Sequence, residues 1–262
     1  MCYDIKTSLE KQLRRAILDG NEEQIKEINE KLSIFSPDEI ALNHASGFSH
    51  PKMIIYTNQN PTKPEIATWG LIPKFAKSKD QQAAIRNKTL NARGETIFEK
   101  PSFKNSAQNQ RCLVFLEGFY EHYHYKGKTY PYFIHLKNKE LFSVAGLWTD
   151  FVDTETGKLT KSFSLVTTKA NKEMAEIHHN PTITEPRMPL ILTEELQEKW
   201  LIEIEDVNDQ KFIEELIKPF ADNEIVSYTV GPIKGKGANG NTAKASKEVV
   251  YESLNSKQGS LF

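Results

Sequence analysis

Apolar residues along this chain gather into short runs divided by turn-forming residues, the pattern of a sheet protein. Met53-Ile54-Ile55-Tyr56 is one such run. Residues 66–73 form another and stop at Pro73. Residues 112–119 are apolar except for Glu117, and residues 120–125 alternate aromatic and polar side chains up to a turn at Gly127. Strands are predicted again at 132–136, 142–147, 162–168, 189–192 and 225–230, with a turn at Gly157. Helical signals lie at the edges of this series. Residues 7–32 predict two helices broken at Asp19-Gly20, with cap-like starts at Ser8/Gln12 and Asn21/Gln24. Their apolar stripe is thin (Ile25, Ile28, Leu32), so they should pack on the surface. Residues 91–98 are expected to start a short helix, and 171–177, 194–202 and 209–220 to be helical, while 78–89 is simply polar. The sum is an α+β fold, an antiparallel barrel-like β core with peripheral helices, over residues 1–233. Residues 234–262 are rich in Gly, Asn, Ser and Lys and are expected to form a flexible tail.

Composition narrows the function classes. No apolar run approaches the ~20 residues that span a bilayer, and the charged N-terminal region lacks a signal-peptide core. We therefore expect a cytoplasmic protein. Two cysteines, Cys2 and Cys112, make no disulfide framework, which suits a reducing compartment. Net charge is −1, but its distribution is uneven. Residues 71–140 hold thirteen Lys/Arg against six Asp/Glu, whereas 194–224 hold eleven acids against three Lys, and such a split suits one anion-binding face. His122, His124 and Cys112 lack the spacing of a metal site, so neither metal nor cofactor is expected.

Candidate chemistry begins at the second residue. Removal of Met1 would leave Cys2 with a free α-amine and a thiol on adjacent carbons, a 1,2-aminothiol that condenses with aldehydes and closes a five-membered thiazolidine. Four segments offer partners for it. Trp69-Gly70-Leu71-Ile72-Pro73 is either a core strand or an apolar edge against nucleic-acid bases. In Asn91-Ala92-Arg93-Gly94-Glu95-Thr96, Asn91 can orient a reacting group and Arg93 can hold a phosphate. Glu117-Gly118-Phe119-Tyr120-Glu121 ends an apolar strand with a carboxyl, where desolvation favours acid–base work. Ile177-His178 adds a proton shuttle, and Arg187-Met188-Pro189 a second cation.

Taken together and in this order, Met-Cys, Trp-Gly-Leu-Ile-Pro, Asn-Ala-Arg-x-Glu-Thr, Gly-Phe-Tyr-Glu and Ile-His with Arg-Met-Pro resemble the SRAP family, the SOS response-associated peptidases that shield abasic sites in DNA. The resemblance runs from Cys2 to about Val230. It implies the SRAP fold and a DNA-damage role, in which Cys2 forms a Schiff base and then a thiazolidine with the aldehyde of an abasic site in single-stranded DNA. It also implies catalytic roles for Cys2, Asn91, Glu121 and His178. DNA contacts would come from Trp69, Gly70, Pro73, Arg93, Arg187 and Met188, with Arg86 as a further phosphate contact. The alternatives are a thiol peptidase using Cys2 and His178, and a non-catalytic module binding single-stranded DNA and the sliding clamp. A monomer is expected.

The chain departs from the family pattern in places. Tyr3-Asp4 follows Cys2 where the family has Gly-Arg, and residues 179–186 separate His178 from Arg187, so His178 is preferred over His179 as the acid–base group. The helical stretch at 7–32 looks like an addition. The last five residues, Gln258-Gly259-Ser260-Leu261-Phe262, resemble the bacterial sliding-clamp pentapeptide, with Gln258, Leu261 and Phe262 as the expected contacts and the preceding tail as a tether.

Overall fold

The computed structural model describes residues 2–18, 20–36, 40–178, 180 and 184–254. The strands, in chain order, are β1 (Asp4–Ser8), β2 (Ala41–Ser46), β3 (Lys52–Thr57), β4 (Glu65–Trp69), β5 (Asn91–Arg93), β6 (Arg111–Leu116), β7 (Gly118–Tyr125), β8 (Lys128–Leu136), β9 (Phe142–Val152), β10 (Leu159–Lys169), β11 (Arg187–Pro189), β12 (Ile191–Leu192) and β13 (Ile225–Thr229). Strands β9, β10, β4, β3 and β6 pair in that order and β6 returns to β9, which closes a five-stranded ring. A second sheet runs β13-β8-β7-β1-β2. The architecture is α+β, as the sequence predicts. Two pairings depart from the antiparallel expectation: β10 lies parallel to β4 and to β5.

A buried cluster joins the two sheets. Ile5, Phe119 and Ile134 of the second sheet share it with Trp69, Trp148, Phe163 and Leu165 of the ring. Cys2 belongs to the same cluster. The hairpin between β7 and β8 turns at Lys126 and Gly127, both with positive φ, a left-handed pair that matches the twist of the flanking strands.

The helices are α1 (Leu9–Leu18), α2 (Glu22–Leu32), α3 (Lys79–Arg86), α4 (Lys104–Asn109), α5 (Lys172–Ile177), α6 (Glu194–Leu201) and α7 (Val207–Glu215). Helix α2 starts as expected, with the Asn21 side chain accepting from the Gln24 amide. Ile28 is fully buried, and Leu9, Phe35, Tyr56 and Phe115 share a cluster, so the α1–α2 pair covers one flank of the ring. No helix of the described residues is long and apolar enough to cross a membrane.

Four local expectations are corrected. Thr7 lies in a strand rather than at a helix start, because β1 is held between β2 and β7, while Ser8 both ends that strand and caps α1, its Oγ accepting the Lys11 amide (3.0 Å). Residues 91–98 open as β5 and a short 3-10 turn (Gly94–Thr96), since β10 captures Asn91–Arg93 as a parallel neighbour. The polar stretch 78–89 holds helix α3, started by a capping box between Ser78 and Gln81. The tail is not free as far as Leu254. Val249 donates to Thr229 O (2.8 Å), Tyr228 donates to Ser246 O (3.0 Å), Ala245 is buried with Tyr120, Phe133, Val230 and Ile233, and Leu254 is buried with Tyr123 and Tyr130. A low apolar content did not prevent this, because sheet-edge hydrogen bonds satisfy the backbone and two small apolar anchors suffice. The clamp-like pentapeptide, with Gln258, Leu261 and Phe262, lies outside the described residues.

Candidate active site

Residue 2 is fixed by its neighbours on every side. Strand β1 starts two residues later and pairs Asp4 with both Ser46 and Tyr120. The Gly47 amide donates to Tyr3 O (2.7 Å). The Asp4 carboxylate accepts from Lys234 Nζ (2.7 Å) and lies 3.0 Å from His44 Nε2. Burial works to raise the Asp4 carboxyl, but these two partners outweigh it and hold it below the usual range. Asp4 is thus an anchor for the first strand. Asn91 then reaches across from β5, and its Nδ2 donates to Cys2 O (2.8 Å).

The acid–base candidates arrive by sheet register and by a helix end. Continuing the β1–β7 pairing from Asp4↔Tyr120 sets Glu121 opposite Tyr3. Glu121 is buried, and its Oε1 accepts the His122 amide (3.0 Å). His178 follows the last turn of α5, where its amide caps Met174 O (2.8 Å). The Arg187 amide and carbonyl both reach His178 Nδ1 (3.2 and 3.1 Å), so β11 fixes the ring plane. The same nitrogen stands 3.8 Å from Glu121 Oε2. Cys2, Asn91, Glu121 and His178 therefore meet at one place, from four separate segments. His179 lies outside the described residues.

Electrostatics of the site favour the neutral forms of Cys2 and His178. Burial, and then the Glu121 charge, push the Cys2 thiol well above its ordinary value. Held so, the Cys2 thiol keeps its proton near neutral pH. Burial likewise lowers the pKa of His178, and of His50 and His122. An imidazole whose folded pKa is depressed takes up its proton in the unfolded chain first. Stability is then complete above about pH 6.5 and falls as the pH drops below it. Thermal melts at pH 7.5 and 5.5 should show a lower midpoint at the acid pH, and His178→Gln should reduce the difference. A midpoint that rises on acidification would contradict this assignment.

The predicted DNA contacts separate into two groups. Trp69 is 0% exposed, stacks on Phe163 and donates from Nε1 to Leu90 O (2.7 Å). Gly70, Pro73 and Met188 are also buried. These four cannot meet bases in this conformation. They are core, as an unbroken apolar run would have it. Gly70 carries φ +113°, and a Cβ there would sit 2.9 Å from the His50 ring, so the residue makes the sharp exit from β4. Arg187 is 3% exposed, and its guanidinium forks onto Glu95 (3.0 and 2.6 Å), Glu185 (3.1 Å) and Thr167 O (2.8 Å). It braces β11 against β10 and is not a free phosphate ligand. Arg93 is exposed, and Arg86 is half-buried with Nε unpartnered.

Two features went unpredicted. Phe48, 50% exposed, lies against Tyr3 with ring centroids 5.0 Å apart, which puts an open aromatic face on the residue that follows Cys2. Its only sequence signal is an isolated aromatic in a polar loop. Beyond Tyr132 a cavity of about 490 Å³ opens between the second sheet and α5, floored by Tyr123, Tyr132 and Tyr228. Glu173, Glu176, Asp222 and Glu248 line it against Lys172 alone, a poor path for a polyanion. No group of three His, Cys, Asp or Glu side chains among the described residues could hold a metal ion.

The sequence pattern of one family, described as SOS response associated peptidase (SRAP), matches residues 1–234, most of the chain. The chain belongs to that family. Among curated SRAP-like relatives is the Bacillus subtilis (strain 168) protein called abasic site processing protein YoqW, 34% identical over 172 residues, which are 65% of this chain and 70% of the relative. The Gallus gallus abasic site processing protein HMCES is 31% identical over 153 residues, 51% of this chain and 43% of its own length. A crystal structure of a Bacteroides thetaiotaomicron protein superposes with a TM-score of 0.78 at 31% identity, covering 95% of this chain and all of the other. The family match and this superposition cover the ring and the second sheet.

Proposed function

We propose that this protein processes abasic sites in single-stranded DNA by binding the open-chain sugar aldehyde to Cys2 as a thiazolidine. The observation that carries the proposal is the grip of Asn91 on Cys2 O beside Glu121 and His178. The names of the SRAP relatives support the substrate class. Asn91 Oδ1 is buried without a hydrogen-bond partner, a state that calls for an explanation. Once Met1 is removed, the Cys2 α-amine is a fitting donor for it. An α-amine with a pKa of ~7.7–8.0 keeps a reactive neutral fraction, roughly a fifth to a third, near physiological pH.

The steps follow from the groups present. The amine nitrogen attacks the aldehyde carbon, and the oxygen takes the proton lost from nitrogen to give a carbinolamine. Glu121 and His178 carry a proton to the hydroxyl, which leaves as water, and take back the remaining proton from nitrogen, so that an imine forms. Cys2 Sγ then attacks the imine carbon while its S–H proton passes to the nitrogen. The product is a five-membered ring, and the balance is protein plus DNA minus one water. The open face of Phe48 is the surface we assign to a flanking base.

The test is a denaturing gel of the protein with single-stranded DNA in which uracil has been excised. A heat-stable shifted band is expected. A shift seen only in native gels would favour a binding module. Cys2-dependent cleavage of an unrelated peptide, with no DNA adduct, would favour a thiol peptidase. Mass analysis of the N-terminus should find Cys2 first, and an intact Met1 would end the proposal.

A further inference from the structure

Three cations converge on one carboxylate at the edge of the site. Arg93 pairs with Glu185 Oε2, Arg187 Nη1 reaches the same oxygen (3.1 Å), and Lys169 Nζ lies 3.5 Å from Oε1. The sheet explains the convergence. Strand β10 carries β5 on one side, with Thr167 beside Arg93, and β11 on the other, with Lys169 beside Arg187. Glu185 comes from residues 179–186, the stretch that separates His178 from Arg187 in this chain.

The three cations are not equivalent. The Arg187 side chain is 4% exposed, and Glu95 and Thr167 hold it in place without Glu185. Arg93 and Lys169 are more than half exposed, and Glu185 itself is 36% exposed. A carboxylate therefore rests on two solvent-facing cations whose place in the fold does not depend on it. Arg93 is two residues beyond Asn91 on β5, roughly 6.6 Å at the usual strand rise. That is on the scale of one nucleotide step from the Cys2 anchor. The acidic cavity between the second sheet and α5 repels a polyanion, which favours this edge as the path for the backbone.

We propose that Arg93 and Lys169 form a phosphate subsite next to the reacting nucleotide, and that Glu185 fills it in the free protein as a stand-in for the phosphate. The inference rests on the abasic-site proposal for its ligand and goes beyond it in naming Lys169 as a contact and Glu185 as an internal competitor. A DNA phosphate entering the subsite exchanges one anion for another, so the local charge balance is unchanged. Glu185 sets a threshold that only DNA able to place a phosphate here passes.

The experiment is equilibrium binding of the full chain to a fluorescent, unmodified single-stranded oligonucleotide across a salt series. Glu185→Gln should bind about tenfold tighter, the effect of one competing ion pair removed. Lys169→Gln should bind more weakly and lower the slope of log affinity against log salt by about 0.7, one phosphate contact on a single strand. The double variant should lose the Glu185→Gln gain. With abasic DNA, Glu185→Gln should raise the crosslinking rate at low DNA concentration. Unchanged or weaker binding by a folded Glu185→Gln protein, or unchanged binding by Lys169→Gln, would overturn the subsite. If the native protein binds no single-stranded DNA even at low salt, the abasic-site proposal itself fails, and the subsite with it.

Discussion

Cys2→Ser should abolish the heat-stable DNA adduct while leaving an adduct that borohydride can trap. The amine is the same in both proteins, so imine formation is preserved. What is lost is the second bond. A serine hydroxyl is a far weaker nucleophile than sulfur, and the buried setting that keeps the Cys2 thiol protonated is harsher still for a hydroxyl. The two readouts therefore divide the mechanism at its midpoint. A heat-stable band of native intensity from Cys2→Ser would show that sulfur takes no part. Absence of both bands from a folded Cys2→Ser protein would place the fault earlier, at the amine. Native Cys2 should resist borohydride, because a closed ring has no C=N bond to reduce.

The second large effect is on stability. Trp69→Ala should cost about 3–5 kcal/mol, the usual range for a large buried aromatic. The indole is fully buried at the junction of the two sheets, stacks on Phe163, and holds the Leu90 carbonyl just before β5. Domains of this kind have ~5–15 kcal/mol in total, so the urea midpoint should fall by a large fraction. If Trp69 were a base-contacting wedge, the substitution would leave the midpoint in place and weaken single-stranded DNA binding instead. That result would contradict the packing described above.

How far the chain could be read in advance depended on the range of the interactions concerned. Strand alternation and the Lys126-Gly127 turn are local, and they appear where the pattern puts them. The convergence of Cys2, Asn91, Glu121 and His178 was legible only as a set of short motifs in order; no spacing rule sets β1 beside β5. Exposure was the least legible property. Nothing in Arg-Met-Pro says that Arg187 is claimed by Glu95, 92 residues earlier in the chain. Trp-Gly-Leu-Ile-Pro offered two readings, core or base contact, and burial against Phe163 decided for core. The segment after residue 234 misled for the opposite reason. Its composition is that of a flexible chain, yet Ala245 and Leu254 find apolar niches on the second sheet. Lys169 and Glu185 carry no motif, and only the register of β10 with its neighbours brings them together.

The central claim is that residue 2 acts as an N-terminal aminothiol on an aldehyde. It is tested most directly by the intact mass of the protein joined to a short abasic single strand, measured without reductant. The predicted mass is that of the chain starting at Cys2 plus the oligonucleotide minus one water, with the modified peptide mapping to Cys2. An adduct mapped to any lysine, or a chain that still carries Met1 in the joined species, would contradict it.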